Sequence, residues 1–299
     1  MDYVLAVADY LVYDKVYDTF LPKFGAVALP RDNIARQYIS LSLITVVFGF
    51  ILYFSVASLS YHYIFDKRLE KHPRFLRNQV QLEIECSSKN IVPMSLLTAP
   101  FFVLEVRGYS LLYDECKLSD TPYLLLSIAL FLLVTDFGIY LIHRGLHHKS
   151  IYGPIHKLHH KWIVPTPYAS HAFHFLDGYS QSLPYHLVIF LFPIHKLVYL
   201  GLFVFVNIWT VLIHDGAYFD SGEIINSASN HTIHHLYFNY NYGQYFTLWD
   251  RVFNSYRACP ADIFDKEKRH EIKSSLKASK DSDVIRAQIE SSDKCGKIN

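Results

Sequence analysis

Charge is scarce in this chain. Only 18% of its 299 residues are Asp, Glu, Lys or Arg, against about 25% in an ordinary soluble domain, and the mean hydropathy is +0.14. So few ionised groups exclude a typical water-soluble globule and point to a bilayer. Neither sign dominates: 28 basic and 27 acidic side chains leave a net charge of +1. No basic field exists to hold a phosphate backbone, which excludes nucleic acid as a partner. Cysteine is scarce too, and Cys86, Cys116, Cys259 and Cys295 form no CxxC pair, so neither a disulfide framework nor a thiolate metal site is indicated. The HExxH of zinc peptidases is missing. The lone ExxH, Glu267 to His270, stands unpaired in a charged segment, whereas carboxylate di-iron bundles need two. Residues 1–30 contain no apolar run after a basic start, so no cleaved signal is read there and the first span is expected to target the chain.

Long apolar runs, by contrast, are plentiful. A membrane crossing takes roughly 20 predominantly apolar residues, and 38–60 supplies them without a charge. The run at 91–106 is shorter and holds Pro93, Pro100 and Glu105, which predicts a kinked span or one half of a hairpin. Residues 121–142 are long enough to cross, are interrupted by Asp136, and lead directly into His143. Within 183–213 the segment FPIHK at 192–196 predicts a hairpin of two helices. Lys67, Arg68, Lys71, Arg74, Arg77 and Lys89 place the 66–90 connector in the cytosol and the N-terminus across the membrane. A hairpin over 91–142 then returns the chain to the cytosol. The expected fold is all-α: a multi-pass integral membrane helical bundle with a cytosolic, histidine-rich helical metal-binding cap. Residues 1–264 are expected to form one membrane-embedded domain with its histidine-rich part at 136–251, followed by a charged, flexible tail at 265–299.

Histidine is the anomaly. Of 17 histidines, 14 lie between residues 143 and 235. His143 and His147 form HxxxH, a spacing that lets two imidazoles share an ion. His156, His159 and His160 form HxxHH, and so do His231, His234 and His235; on a helix each set is expected to aim at one point. His214 in LIHDG, with His171 or His174 in SHAFH, brings the supply of nitrogens to the needs of two metals. A lone imidazole on an apolar face is ordinarily a packing residue, and His62, His72, His186, His195 and His270 are read that way. Clustered imidazoles are not, because two protonated rings would repel. His148, His171, Asp136, Asp215 and Asp250 are further candidates, as ligands or as partners that orient ligands. Imidazole alone leaves zinc, copper, iron and nickel open. A metal transporter would place such residues along a midplane pathway, whereas here they follow the apolar runs. Asn230-His231-Thr232 is also a glycosylation sequon, expected to go unused on a cytosolic face.

HRGLHH, HKLHH, HTIHH and NYGQYFTLWDR together resemble the fatty acid hydroxylase and sterol desaturase superfamily. PTPYASHAFHFLDGYSQSLPYH, NIWTVLIHDG and MDYVLAVADY resemble its sterol C5-desaturase branch, over nearly the whole chain except the tail. One position departs from the family pattern: Phe175 follows His174 where proline is expected. The resemblance implies removal of the C5 and C6 hydrogens of a Δ7-sterol such as lathosterol, giving the 5,7-diene 7-dehydrocholesterol, a step of sterol and cholesterol biosynthesis. It also implies two iron ions per chain, O2 as oxidant, and a location in the endoplasmic reticulum membrane. As ligands it implies His143, His147, His156, His159, His160, His231, His234 and His235, completed by His214 and one of His171 or His174. Electrons would come from cytochrome b5 and its NAD(P)H-dependent reductase. KHPRF at 71–75 lacks the surroundings of a haem site, so that donor is a separate protein. A hydroxylase of the same superfamily, acting on sterol C4-methyl groups or fatty acids, is the nearest alternative.

Overall fold

The computed structural model describes residues 1–24, 29–115, 117–218 and 223–264, and the expected tail at 265–299 lies outside them. The described chain is almost wholly helical. A short helix, α1 (Asp2–Ala8), precedes three long ones: α2 (Ile34–Tyr63), α3 (Gln79–Val106) and α4 (Thr121–Leu146). Each of the three is long and apolar enough to cross a membrane. Leu43, Val47 and Ile51 on α2, with Leu125, Leu126 and Leu133 on α4, point outward, as a lipid-facing surface requires. Asn33 starts α2 by accepting the backbone N–H groups of Ala35 and Arg36 at 2.9 and 3.1 Å, which fills donors that a helix start otherwise leaves open. This is a helical membrane protein.

The expected hairpin is present as two helices, α5 (Phe175–Leu187) and α6 (Lys196–Leu212). Leu191 to Pro193 breaks them, and a two-residue parallel pairing of Leu112 with Ile194 and Tyr113 with His195 pins the turn. The cap helices α7 (Ala228–Tyr237) and α8 (Leu248–Val252) follow. Glycine permits the close packing of α5. A Cβ at Gly138 on α4 would stand 2.8 Å from Pro184, and one at Gly178 would strike the Phe173 ring.

The second span begins earlier than expected. It is one continuous helix of 28 residues, beginning well before the apolar run and passing through both prolines. Pro100 cannot donate to the Leu96 carbonyl. Tyr38 on α2 donates its hydroxyl there instead, at 3.3 Å. The early start has a polar cause: Gln79, Glu83 and Ser87 are buried at successive i+4 positions. Gln79 donates to the Val164 carbonyl at 2.8 Å, Ser87 donates to the Tyr168 carbonyl at 3.1 Å, and Glu83 accepts from the Thr166 hydroxyl. The stripe that reads as a cytosolic connector is a helix face holding the 163–171 loop.

These helices separate two chemically different ends. At one end the Lys196 ammonium bridges Asp2 and Asp114, and Tyr3 donates to Asp114 at 2.7 Å. The end of α3 and the starts of α4 and α6 meet here. At the other end α4 carries His143 in its last turn, α6 leads into His214, and histidines of α7 meet both, with the His143 and His234 rings 4.4 Å apart and the His214 and His231 rings 4.2 Å apart.

Candidate metal centre

Two histidine groups form at that second end, each with its ligand nitrogens within 4.8 Å of one another: His143, His147, His156, His160 and His234 in the first, and His159, His214, His231 and His235 in the second. Each HxxHH set is therefore divided, contrary to the expectation that all three rings aim at one point. Successive residues of a helix point about 100° apart. On α7, His231 and His235 turn to the second group while His234 turns to the first. In the other set the chain is not a regular α-helix: a π-turn over Tyr152–His156 and a 3-10 turn over His159–Lys161 send His156 and His160 to the first group and His159 to the second. The groups adjoin, with the His160 and His235 rings 5.1 Å apart and the His156 and His159 rings 5.5 Å apart.

The nitrogens converge as ligands do. His160 Nε2 lies 3.2 Å from both His147 Nε2 and His156 Nε2, and His231 Nε2 lies 2.9 Å from His214 Nε2 and 3.0 Å from His235 Nε2. Nitrogens bound at right angles to one ion, each about 2.1 Å from it, stand about 3 Å apart. The outer nitrogens are engaged elsewhere. Nδ1 of His143 donates to the Tyr242 carbonyl at 3.0 Å, Nδ1 of His234 to the Tyr240 carbonyl at 2.7 Å, and Nδ1 of His214 to the Thr210 carbonyl at 2.7 Å. These bonds fix the tautomer that presents an Nε2 lone pair. The inner Nε2 atoms of His143 and His234 are buried without a hydrogen-bond partner, a costly arrangement unless an ion takes them. Burial, and then the neighbouring rings, hold His147, His159, His160 and His231 well below the ordinary imidazole pKa. Burial also brings His214 down to about 4. All are neutral at pH 7, the form a metal needs.

An apolar cavity opens from the second group between α2, α3, α5 and α6. His143, His159, His214 and His231 line its inner end, and Phe48, Leu52, Met94 and Phe203 line it further out.

A family model described as fatty acid hydroxylase matches residues 128–255, the stretch that holds both groups. Among relatives, a Delta(7)-sterol 5(6)-desaturase of Schizosaccharomyces pombe is 52% identical over 269 residues, covering 90% of this chain and 88% of the relative. One from Aspergillus fumigatus is 54% identical, covering 88% of this chain and 80% of the relative. One from Candida albicans is 51% identical, covering 88% and 69%. The chain belongs to the Delta(7)-sterol 5(6)-desaturase family. No solved structure matches it.

For this desaturase the structure brings together every histidine singled out as a ligand except His174. That residue caps α5, accepting the Leu176 N–H at 3.3 Å, and stands outside both groups. His148 is exposed and caps a short turn at Ser150. His171 is outside both groups as well, its ring 5.3 Å from that of Tyr53. None of the three aspartates reaches an imidazole directly. Asp136 accepts the Gln244 and Tyr245 N–H groups at 2.9 and 2.7 Å, Asp215 accepts that of Ala217, and Asp250 accepts those of Tyr242 and Gly243 at 2.9 and 2.8 Å. Asp250 thus acts on His143 at one remove, by fixing the peptide whose carbonyl His143 meets. The direct carboxylate partner is Asp177, which sequence reasoning missed: its Oδ2 lies 2.7 Å from His156 Nδ1, with both side chains fully buried. Its position one turn after SHAFH was the available signal, but no spacing rule ties it to His156.

Proposed function

We propose that this protein is a sterol C5(6)-desaturase that converts a Δ7-sterol to its 5,7-diene. The observation that carries the reading is the open side of the second histidine group, which faces an apolar cavity in a chain whose relatives are named for this reaction. Two iron ions fit the two groups, held by His143, His147, His156, His160 and His234 and by His159, His214, His231 and His235. Bound iron supplies the redox chemistry with O2 that removal of unactivated hydrogens demands. The overall change balances when O2 takes two hydrogens from the sterol, and two electrons and two protons from a donor, to give two waters. The protein's own residues position and seal. Asp177 and the Tyr240 and Tyr242 carbonyls orient the imidazoles. Tyr242 and Phe238 cover the first group, with ring centroids 5.0 Å from His147 and 4.6 Å from His160 respectively. The cavity walls exclude water from the reacting edge of the sterol.

Electrons reach the site from cytochrome b5 on the cytosolic face of the endoplasmic reticulum. Arg74, Lys157 and Lys161 line a second opening that reaches His160 of the first group. Sterol profiling tests the reading in cells that lack their own C5-desaturase. Wild-type protein should yield sterols with conjugated-diene ultraviolet absorbance, and His159→Ala should yield none. Oxygenated sterols or lipids in place of the diene would move the assignment to a hydroxylase.

A further inference from the structure

Ser170 and His171, just before α5, and Asn207 on α6 build a polar patch in the cavity wall that no ligation explains. His171 lines the cavity together with Asn207 and Ser170. Its Nδ1 lies 3.1 Å from the Ser170 hydroxyl, and Asn207 lines the same wall. Asn207 donates to the Phe203 carbonyl at 2.7 Å, which uses one of its two amide hydrogens and leaves the other for a ligand. The hydroxyls of Thr45, Ser95 and Ser182, which also line the cavity, donate to carbonyls of their own helices at 2.7, 2.8 and 2.7 Å.

The patch stands at a defined distance from the metal centre. The Phe173 ring separates His171 from His159, with centroids 6.0 and 5.9 Å away, so one aromatic ring lies between the patch and the second group. Along α6, Asn207 precedes His214 by two turns, about 10 Å of axis. The His214 ring folds back one of those turns to meet the Thr210 carbonyl, which leaves about one turn between ring and amide.

We propose that His171 and Asn207 bind the 3-hydroxyl of the sterol and thereby set C5 and C6 against the second histidine group. The proposal rests on the Δ7-sterol reading above. In a sterol C3 is two bonds from C5, so a hydroxyl that is bound while C5 reacts must lie close to the metal centre. His186, a further imidazole in the cavity wall, packs on Phe203 at 5.8 Å. Phe203 precedes His214 by eleven residues, about 16 Å of helix, too far for the hydroxyl and near enough for the sterol side chain. Gln181 also lines the cavity, and its amide donates to Asp177 at 2.7 Å, which commits it to the carboxylate beside His156. The sterol then enters with ring A toward the metals and its alkyl tail toward Phe48, Leu52 and Met94.

Competitive binding to the purified full-length protein in lipid nanodiscs tests this, with tritiated cholest-7-en-3β-ol as probe and unlabelled cholest-7-en-3β-ol or 5α-cholest-7-ene, which lacks the hydroxyl, as competitors. Wild-type protein should favour the hydroxylated sterol by about tenfold or more. In Asn207→Leu and His171→Phe that preference should collapse while the affinity for 5α-cholest-7-ene stays within about twofold, and His171→Gln should restore part of it. Equal affinity of wild-type protein for the two sterols overturns the proposal whatever the variants do, and so does an undiminished preference in both variants. Cells that make no diene, although the purified protein still prefers the hydroxylated sterol, would sink the desaturase reading and leave this subsite standing. Diene formation without that preference would do the reverse.

Discussion

Asp177 illustrates how a residue one step removed from an ion can govern it. Its carboxylate holds His156 Nδ1 at 2.7 Å, which keeps the ring's orientation and makes Nε2 a better donor. Asp177→Asn preserves volume and removes the charge. Loss of such a partner typically weakens metal binding about 10- to 100-fold, so under the two-iron proposal the variant's first histidine group should release metal at a correspondingly lower chelator concentration while the second group holds its own. Metal content measured across a chelator series checks this, and an unchanged profile would show that the pair is merely structural. The imidazoles also fix the pH response of the metal-free protein. His214 is drawn from 6.5 down to about 4 by burial, and His147, His159, His160, His231 and His234 are lowered further. Between those values and 6.5 the unfolded chain binds more protons than the folded one, so stability is whole above pH 6.5 and falls as the pH drops through that window. Asp215, raised to about 7 by burial, and Asp250, raised for the same reason, act in the opposite direction, but the lowered imidazoles outnumber them. The metal-free protein should melt at a lower temperature at pH 5.5 than at pH 7.5; a higher or equal melting temperature at pH 5.5 would contradict this. Added iron should raise the midpoint at both.

At the level of elements, α3 joins the membrane part to the metal cap through its buried polar stripe. Glu83 accepts from the Thr166 hydroxyl and from the Gln79 amide, the latter at 2.7 Å. Glu83→Leu leaves both donors buried without their acceptor, and a single stranded group costs about 1–3 kcal/mol. The variant should therefore unfold earlier and lose diene formation. Thr166→Val, which deletes the hydroxyl but leaves Glu83 its Gln79 contact, should fall between it and wild type in thermal unfolding. The same stripe marks where sequence reasoning stopped. The spans were legible because long apolar composition suffices to identify them, and the hairpin break was legible because Pro193 with His195 and Lys196 interrupts the apolar run. Gln79, Glu83 and Ser87 were not, since a polar helix face buried against a loop has the composition of a solvated connector. The histidines show a similar division. Their spacing pointed to a metal site, but which ring joins which group depends on the π and 3-10 turns at 152–161, which no spacing rule foretells. The hydroxyl patch was equally hidden, because His171 and Asn207 meet only once the 163–171 loop is laid against α6.

The whole molecule is polarised, and the polarity determines which side of the membrane performs the chemistry. One end carries the Asp2, Lys196 and Asp114 ion cluster together with the buried Arg36, paired to Asp9 and Asp14 at 2.9 and 2.6 Å. The histidine end carries Lys67, Arg68, Lys71, Arg74, Lys157 and Lys161 on its short connectors, an excess that the positive-inside rule assigns to the cytosol. The sequon at Asn230 does not report on this. Asn230 is fully buried and closes a capping box with Ser227 at the start of α7, so the folded protein has no room for a glycan there on either side. Exposed positions must be used instead. In a variant whose cysteines are replaced by serine, Lys71→Cys at the histidine end and Tyr109→Cys at the opposite end place single thiols on surfaces separated by the length of α3. A membrane-impermeant maleimide added to sealed microsomes should modify Lys71→Cys at once and Tyr109→Cys only after detergent. The reverse pattern would place both histidine groups in the lumen, out of reach of a cytosolic electron donor, and the arrangement of donor, metals and cavity proposed here would have to be abandoned.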